Sequence, residues 1–475
     1  MAFAEKRGKW WRVRYKRPDG VLDSASGFPT KESALEWGRD QETDVRRNAW
    51  RDPHAGDITL ADWIDTDWWP GQDLALRTRG NYRYIIDNYL IPEFGGRPLN
   101  TLTSPSEINR WEARLRQRVP AVATAARGRL ATILADAVDE GLIDINPAIR
   151  ARRRGRKSAR TQRREQPPVT SLQLLLLAER CAVLSGRDDE FIEIVTIGYP
   201  GMRYGETIGV EPEHVKPDIL ALRWQLAENA GRFYRLPPKD DSARDIDLPP
   251  FLGALLARQK SAMSGRRCAH TTSTAPPGAE EPCPAGRRYL WLGTDGGHLR
   301  NSNFARRIFA PATTGWYPNG AKKQNRPAKP VLVDVACHWP GRLLPAWPAA
   351  TPGEAFQPPW GRGRGLPRLD LENVYVASWL PLLPGLTPHG LRHAHNTWMI
   401  EDGIPEVLRH ARLGHRMEGI KAVYSHVTPQ MRSRLIAALE QRWNDALAAR
   451  ARIAPHSPVA ALEALLAEEA DRRAS

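Results

Sequence analysis

The sequence is poor in cysteine. Only Cys181, Cys268, Cys283 and Cys337 occur in 475 residues, widely spaced. That argues against a disulfide framework and fits a reducing cytoplasm. Long hydrophobic runs are missing too: no stretch of about 18 apolar residues is present, so no membrane-spanning helix is expected. The opening residues, Met-Ala-Phe-Ala-Glu-Lys-Arg-Gly-Lys-Trp, contain no apolar signal core. There is no internal repeat and no phosphate-cradling glycine loop of the Walker type. Nor is there a zinc quartet. Cys268-x-His270 followed by Cys283 offers three donors at a poor spacing, which reads as coincidence. Acidic residues are the last shortage. Fifty-four Asp and Glu face 69 Lys and Arg, a net charge of +15. A surplus of that size points to a polyanionic partner, most often nucleic acid.

What is present suffices for several folded units. Hydrophobic residues make up 41% and charged residues 26%, which excludes global disorder. Residues 10–16 alternate, with Trp11, Val13 and Tyr15 on one face and Arg12, Arg14 and Lys16 on the other, the period of a strand. Pro18-Asp19-Gly20 reads as a turn, and a second extended piece reaches Phe28. Thr30 then caps a helix bearing Ala34, Leu35 and Trp37. Residues 1–52 are therefore expected to form a small sheet with one helix.

From 57 to 148 the period becomes helical. Thr59 with Asp62 opens a first helix. Tyr82, Ile85, Ile86 and Tyr89 form the apolar stripe of a second, which Pro92 and Gly95-Gly96 are expected to end. Ile108, Trp111 and Leu115 mark a third. Leu130, Ile133, Leu134, Ala137 and Val138 mark a fourth, ending near Gly141. A linker at 149–168 follows. From Arg150 to Arg164 it holds nine basic residues, among them Arg152, Arg153, Arg154, Arg156 and Lys157, and no acidic one. An inert spacer needs no such density of one sign, so contact with DNA phosphates is favoured.

The largest unit spans 169–450. It begins with helical patterns at 172–184 and 191–197. Strands are expected near 219–226 and 232–236, with a turn at Asn229-Ala230-Gly231, and another at 288–293. Helices resume at Asn303 and again at Pro388. Inserts at 264–287 and 310–380 interrupt this order; the second is rich in proline and carries Trp316, Trp339, Trp347 and Trp360. In the tail, 451–475, Ser457-Pro458 precedes Leu462, Leu465 and Leu466, a short-helix signature.

One ordered set of short motifs carries chemistry. Gly201-Met202-Arg203-Tyr204-Gly205-Glu206 comes first. Lys239 follows the second hairpin strand. Then come Thr387-Pro388-His389-Gly390-Leu391-Arg392-His393, Leu413-Gly414-His415 and Tyr424-Ser425-His426. Each alone is weak: His-x-x-Arg is an ordinary helix-face pair, and a lone Tyr is usually core. Together, in this order, they resemble the tyrosine recombinase (phage integrase) family, and most of all integrases of actinomycete integrative elements or phages. The resemblance covers nearly the whole chain.

It implies a multidomain, mainly α fold with small β-sheets. An arm-type DNA-binding domain with a small sheet and a helix would occupy 1–52, and a four-helix SAM-like core-binding domain 57–148. A mixed α+β catalytic domain would occupy 169–450. It also implies transesterification of a DNA phosphodiester. Arg203 and Arg392 would clamp the non-bridging oxygens, a task for which guanidinium forks suit better than ammonium. Tyr424 would be the nucleophile, forming a 3′-phosphotyrosyl link. His389 would be the base, Lys239 the general acid for the leaving 5′-oxygen, and His415 a phosphate donor. Glu206 and His393 would be supporting residues. Arg12, Arg14 and Lys16, with the linker cations, would bind DNA. The bond energy stored in phosphotyrosine removes any need for ATP, and no cofactor or metal is implied.

The implied partners are double-stranded attachment sites, three further copies in a tetramer on DNA, a directionality factor for excision and a DNA-bending host protein. The implied location is the cytoplasm, at the nucleoid. Two departures stand out: Gly390 occupies a position where the family often has Asp, and His389 lies 150 residues beyond Lys239. Rival outcomes on the same fold are excision, dimer resolution, transposition, or a DNA-binding regulator without catalysis. The arm-like region favours integration over simple resolution.

Overall fold

A computed structural model of the chain describes residues 2–48, 50–149, 168–229, 231–239, 242–269, 283–284, 286–314, 316–317, 329–330, 382–415, 426–453, 455–457 and 459–474. Tyr424, His270, the linker cations and most of the proline- and tryptophan-rich insert lie outside this set. The chain divides into two compact units, Met1–Thr161 and Gln162–Ser475.

The first unit opens with a three-stranded antiparallel sheet, order β1 (Phe3–Arg7), β2 (Trp10–Lys16), β3 (Leu22–Phe28). The alternation in β2 does what its period requires: Val13 and Tyr15 are buried, and Arg12 and Arg14 face the other side. β1 was not legible in the sequence, because Phe-Ala-Glu-Lys-Arg does not alternate. Thr30 caps helix Lys31–Arg46 by accepting the Ser33 N–H at 3.1 Å. That helix lies close on the sheet. Gly38 has room for no side chain, since a Cβ there would come within 2.6 Å of Val13.

The helical part follows the four expected stripes, and their residues form one core. Thr59 caps the first helix, accepting the Asp62 N–H at 3.1 Å. The second runs on past Pro92 to Phe94, where the sequence pattern had ended it. The reason is a widened turn over Ile86–Leu90, in which Ile91 N–H reaches the carbonyl of Ile86, five residues back. Proline cannot donate, and its ring crowds the carbonyl four residues earlier; the wider turn relieves both. Helices Pro105–Arg118 and Pro120–Asp139 complete the set.

In the second unit, helices Ser171–Ser185 and Asp188–Gly198 pack together at the centre of the main core. The single strand expected near 219–226 is two strands in two sheets. β4 (Ile219–Leu222) pairs with β7 (Arg244–Asp247), and β5 (Gln225–Asn229) pairs with β6 (Arg232–Leu236). The break at Arg223-Trp224 is invisible to a period-two count. Residues 288–293 are not a strand, although Tyr289 to Leu292 are fully buried. Their apolar character reflects core filling, not ladder pairing. The helix beginning at Asn301 continues to Thr314, into the stretch assigned to the second insert.

Helices Pro388–Glu401, Glu406–Leu413 and Pro429–Ile453 follow. The tail helix, Ala460–Ala474, buries Ala461, Leu462 and Leu466 in the main core of its own unit. A buried ion pair fixes its approach: Arg450 donates twice to Glu179, at 2.8 and 2.7 Å, and Ser457 Oγ donates to the same carboxylate at 2.7 Å. Among the described residues no helix is long and apolar enough to cross a membrane.

Candidate active site

The arginine box sits at the start of helix Tyr204–Ile208. Arg203 precedes the first turn, and Glu206 reaches back to accept its backbone N–H at 2.9 Å. This is the geometry of a capping box. It explains the three-residue spacing, because the same carboxylate also accepts from Arg203 Nη1 at 2.8 Å. Glu206 is fully buried. From β7, Arg244 adds a second guanidinium to it, with Nη2 at 3.0 Å and Nη1 at 3.3 Å. Burial alone would raise the Glu206 pKa. Arg244 and Arg203 outweigh burial and hold it below the usual carboxylate range.

Arg392 comes from helix Pro388–Glu401, whose N-cap Thr387 accepts the Gly390 N–H at 3.2 Å. It is almost wholly buried. It donates to Gly201 O at 2.8 Å, to Leu413 O, and through Nη2 to His415 Nε2 at 2.9 Å. The glycines of two motifs permit this approach. Gly201 has φ +71°, and a Cβ would fall 2.7 Å from the His395 ring; Gly414, at φ +65°, would meet Ser242 and Arg244 at 2.8 and 2.9 Å. Burial and then Arg203 lower the Arg392 pKa to about 10, so it keeps its charge at neutral pH.

Burial, followed by Arg392 and Arg203, lowers the His415 pKa to about 4, leaving a neutral ring. Since Nε2 accepts from Arg392, the ring proton must be on Nδ1, the one donor left. His389 is pushed below its ordinary value by burial first, then by His393, Arg392 and Arg203. His389 and His393 are both exposed and stand edge to face, 4.8 Å between centroids. Arg203, Glu206, His389, Arg392 and His415, spread over more than 200 residues of sequence, therefore meet in one place with His393 at its edge.

Lys239 is exposed, three residues after β6 ends at Leu236. Its carbonyl accepts the Ser242 N–H at 3.3 Å, and Ser242 Oγ accepts from Arg203 Nη1 at 3.4 Å. The turn bearing Lys239 is thus joined to the cluster. Among the described residues its ammonium has no hydrogen bond or ion pair to the other site residues. Tyr424 falls between His415 and His426, outside the described residues.

The sequence pattern missed four members. Ser242 and Arg244 lie against Glu206 and Arg203. Beneath them, buried Arg412 donates to His395 Nε2 at 2.9 Å, to Asp247 O at 2.9 Å and to Tyr199 O at 3.2 Å. Arg412 precedes Leu413-Gly414-His415, and His395 follows His393 by two residues, but neither position belongs to the quoted motifs. Only Arg244 had a local signal, an Arg beside acidic residues in a short strand.

In the first unit, Arg12 and Arg14 both pair with Glu5 of β1, Arg14 at 3.2 Å. Lys16, at the end of β2, is exposed. The cationic face of β2 that was expected to bind DNA is therefore partly neutralised by its neighbouring strand.

No family model matches the chain. Two curated relatives are each described as a putative prophage phiRv2 integrase, from the CDC 1551 / Oshkosh and the H37Rv strains of Mycobacterium tuberculosis. Each is 25% identical over 252 residues, 51% of this chain. The match spans 64% of the relatives' length, slightly under two-thirds. Among solved structures, a Tn1549 transposon integrase in complex with a circular intermediate DNA is similar at TM-score 0.50 and 15% identity, covering 80% of this chain and 99% of that one. The same integrase in complex with transposon right end DNA is similar at TM-score 0.50 and 14% identity, again over 80% and 99%. The chain is thus similar over about half its length to a putative prophage integrase of Mycobacterium tuberculosis, and it shares the fold of the Tn1549 transposon integrase.

Proposed function

We propose that the protein is a site-specific DNA recombinase that integrates a mobile element by cutting and rejoining attachment sites through a 3′-phosphotyrosyl intermediate. The observation that carries this reading is the convergence of Arg203, Arg392, His389 and His415 around the buried Glu206–Arg244 pair. Phosphoryl transfer builds negative charge on the non-bridging oxygens, and preorganised cationic donors stabilise it. Here the guanidiniums are held before substrate arrives, by Glu206 on one side and by the carbonyls of Gly201 and Leu413 on the other.

Each residue has a role on this reading. Arg203 and Arg392 bind the phosphate oxygens. His415 donates through Nδ1–H. Tyr424 Oη attacks phosphorus while His389 accepts its proton. The P–O5′ bond breaks as the phosphotyrosyl ester forms, and Lys239 protonates the 5′-oxygen. A 5′-hydroxyl of the partner strand then displaces Tyr424, so the number of phosphodiesters is conserved. DNA attachment sites are the substrate and four protomers the working assembly, with excision and bending factors as accessory partners at the nucleoid. Residues 1–52 serve as the arm-binding domain, 57–148 as the core-binding domain and the cations of 149–168 as a phosphate-binding linker.

The test is a nicked suicide duplex carrying the element's own attachment core, incubated without Mg²⁺. A covalent protein–DNA adduct is expected from the wild type and none from Tyr424→Phe. No adduct from the wild type refutes the enzyme reading; an adduct from Tyr424→Phe refutes the nucleophile.

A further inference from the structure

Three metal-ligating side chains from three separate segments converge away from the candidate active site. Cys268, Cys283 and His298 place their donor atoms within 4.8 Å of one another, all three buried. His298 Nε2 is 3.2 Å from Cys283 Sγ. A tetrahedral ion bound at ~2.3 Å to sulfur and ~2.0 Å to nitrogen would hold such atoms roughly 3.5–3.8 Å apart. The sequence spacing had set Cys268 and Cys283 aside and did not include His298. The fold brings His298 in from 15 residues beyond Cys283.

The surroundings are those of a staple site. Cys268 and Cys283 belong to a small satellite core with Phe233, Met263, Tyr289 and Leu292, and the His298 ring packs against Phe233 and Tyr289. Between Met263 and Arg300 no described residue lies in a helix or a strand. Backbone bonds bring the three segments together: Cys268 N–H to Arg287 O at 2.8 Å, Gly286 N–H to Cys268 O at 3.3 Å, and Ala269 N–H to Gly296 O at 3.0 Å. Gly286 and Gly296 have φ +71° and +76°, the tight turns that such a convergence needs. Loop segments without regular elements of their own are the kind that a metal commonly fastens.

Charge agrees. Two thiolates and one neutral imidazole around a divalent ion sum to zero, an arrangement that can be buried.

We propose that Cys268, Cys283 and His298 bind a structural zinc ion, with the fourth tetrahedral position taken by a further donor or water. Soft thiolates with one imidazole select zinc over magnesium or calcium. The ion fastens the 283–287 segment to β6, where Cys283 N–H already meets Phe233 O at 2.9 Å. Its role is distinct from recombination chemistry, which it leaves metal-free.

The full-length protein, loaded with zinc and then dialysed, should retain about one equivalent by elemental analysis. Exchange with Co²⁺ should give thiolate-to-metal charge-transfer absorption together with the intense visible bands of a tetrahedral site. In the loaded protein, Cys268 and Cys283 should resist alkylation mapped by mass spectrometry, and a chelator should speed their modification at least tenfold. Cys268→Ser with Cys283→Ser should abolish the cobalt spectrum. The proposal is overturned if wild type retains no zinc, if the two cysteines are recovered as a disulfide, or if the double variant keeps the cobalt signature. The measurements on wild type decide the matter even if the variant fails to fold.

Discussion

Glu206→Gln offers the sharpest test of how the arginine cluster is held. The carboxylate is fully buried and accepts from Arg203 Nη1 and backbone N–H at 2.8 and 2.9 Å and from Arg244 at 3.0 and 3.3 Å. Arg244 is itself only 7% exposed. An amide keeps one acceptor oxygen but turns an NH₂ group toward a guanidinium and removes the one anion among three arginines. Breaking a buried pair in this way costs about 3–5 kcal/mol. At roughly 2–4 °C per kcal/mol, the melting temperature should fall by at least several degrees. Because the folded pKa of Glu206 is depressed, its stabilisation is full above the unfolded value of about 4.3 and is lost as pH falls through the lower folded value. The gap between wild type and variant should therefore be widest at neutral pH and close on acidification. Denaturant titration followed by circular dichroism, from pH 7 down to pH 3, measures both. A loss under about 1 kcal/mol at pH 7, or a gap that does not narrow in acid, would refute the argument.

Three further outcomes are expected. In an NMR titration the His415 ring should stay neutral from pH 8 to 5 with a midpoint near 4, and Arg392→Ala should raise that midpoint; its stabilising share is full above about 6.5 and lost as pH falls through 4. Gly201→Ala combines a left-handed backbone with contacts of 2.7 and 2.9 Å to His395 and Leu413, so denaturant unfolding should show a loss of about 2–5 kcal/mol. Neutralising Arg152, Arg153 and Arg154 together should make the log–log salt dependence of DNA binding shallower by up to about 2.7; an unchanged slope would mean the run is only a spacer.

The sequence was informative wherever a signal is local. Strand β2, the Thr30 and Thr59 caps and the helical stripes of the first unit all follow from periodicity and capping within a few residues. The order of the motifs likewise singled out Arg203, Glu206, His389, Arg392 and His415, because each belongs to a short string tied to a helix start or end. Elsewhere, distant partners decided the outcome. Strand β4 took β7 and β5 took β6, so one apolar run became two strands. Helix Leu76–Ile85 ran on past Pro92 because a widened turn absorbed the clash.

The sequence by itself determined the composition of the site: which cations and imidazoles exist, and in what order. Tertiary structure alone decided their state. Arg244 and Ser242 reach Glu206 and Arg203 from β7 and the turn before it, and Arg412 reaches His395 across two helices. Burial with Arg392 and Arg203 makes His415 neutral, Arg244 and Arg203 keep Glu206 ionised, and the carbonyls of Gly201 and Leu413 preset Arg392. These effects depend on distances of a few ångströms between residues up to about 200 apart in the chain, and periodicity carries no information about such distances. The same holds for Cys268, Cys283 and His298, whose spacing looked accidental until the chain was folded.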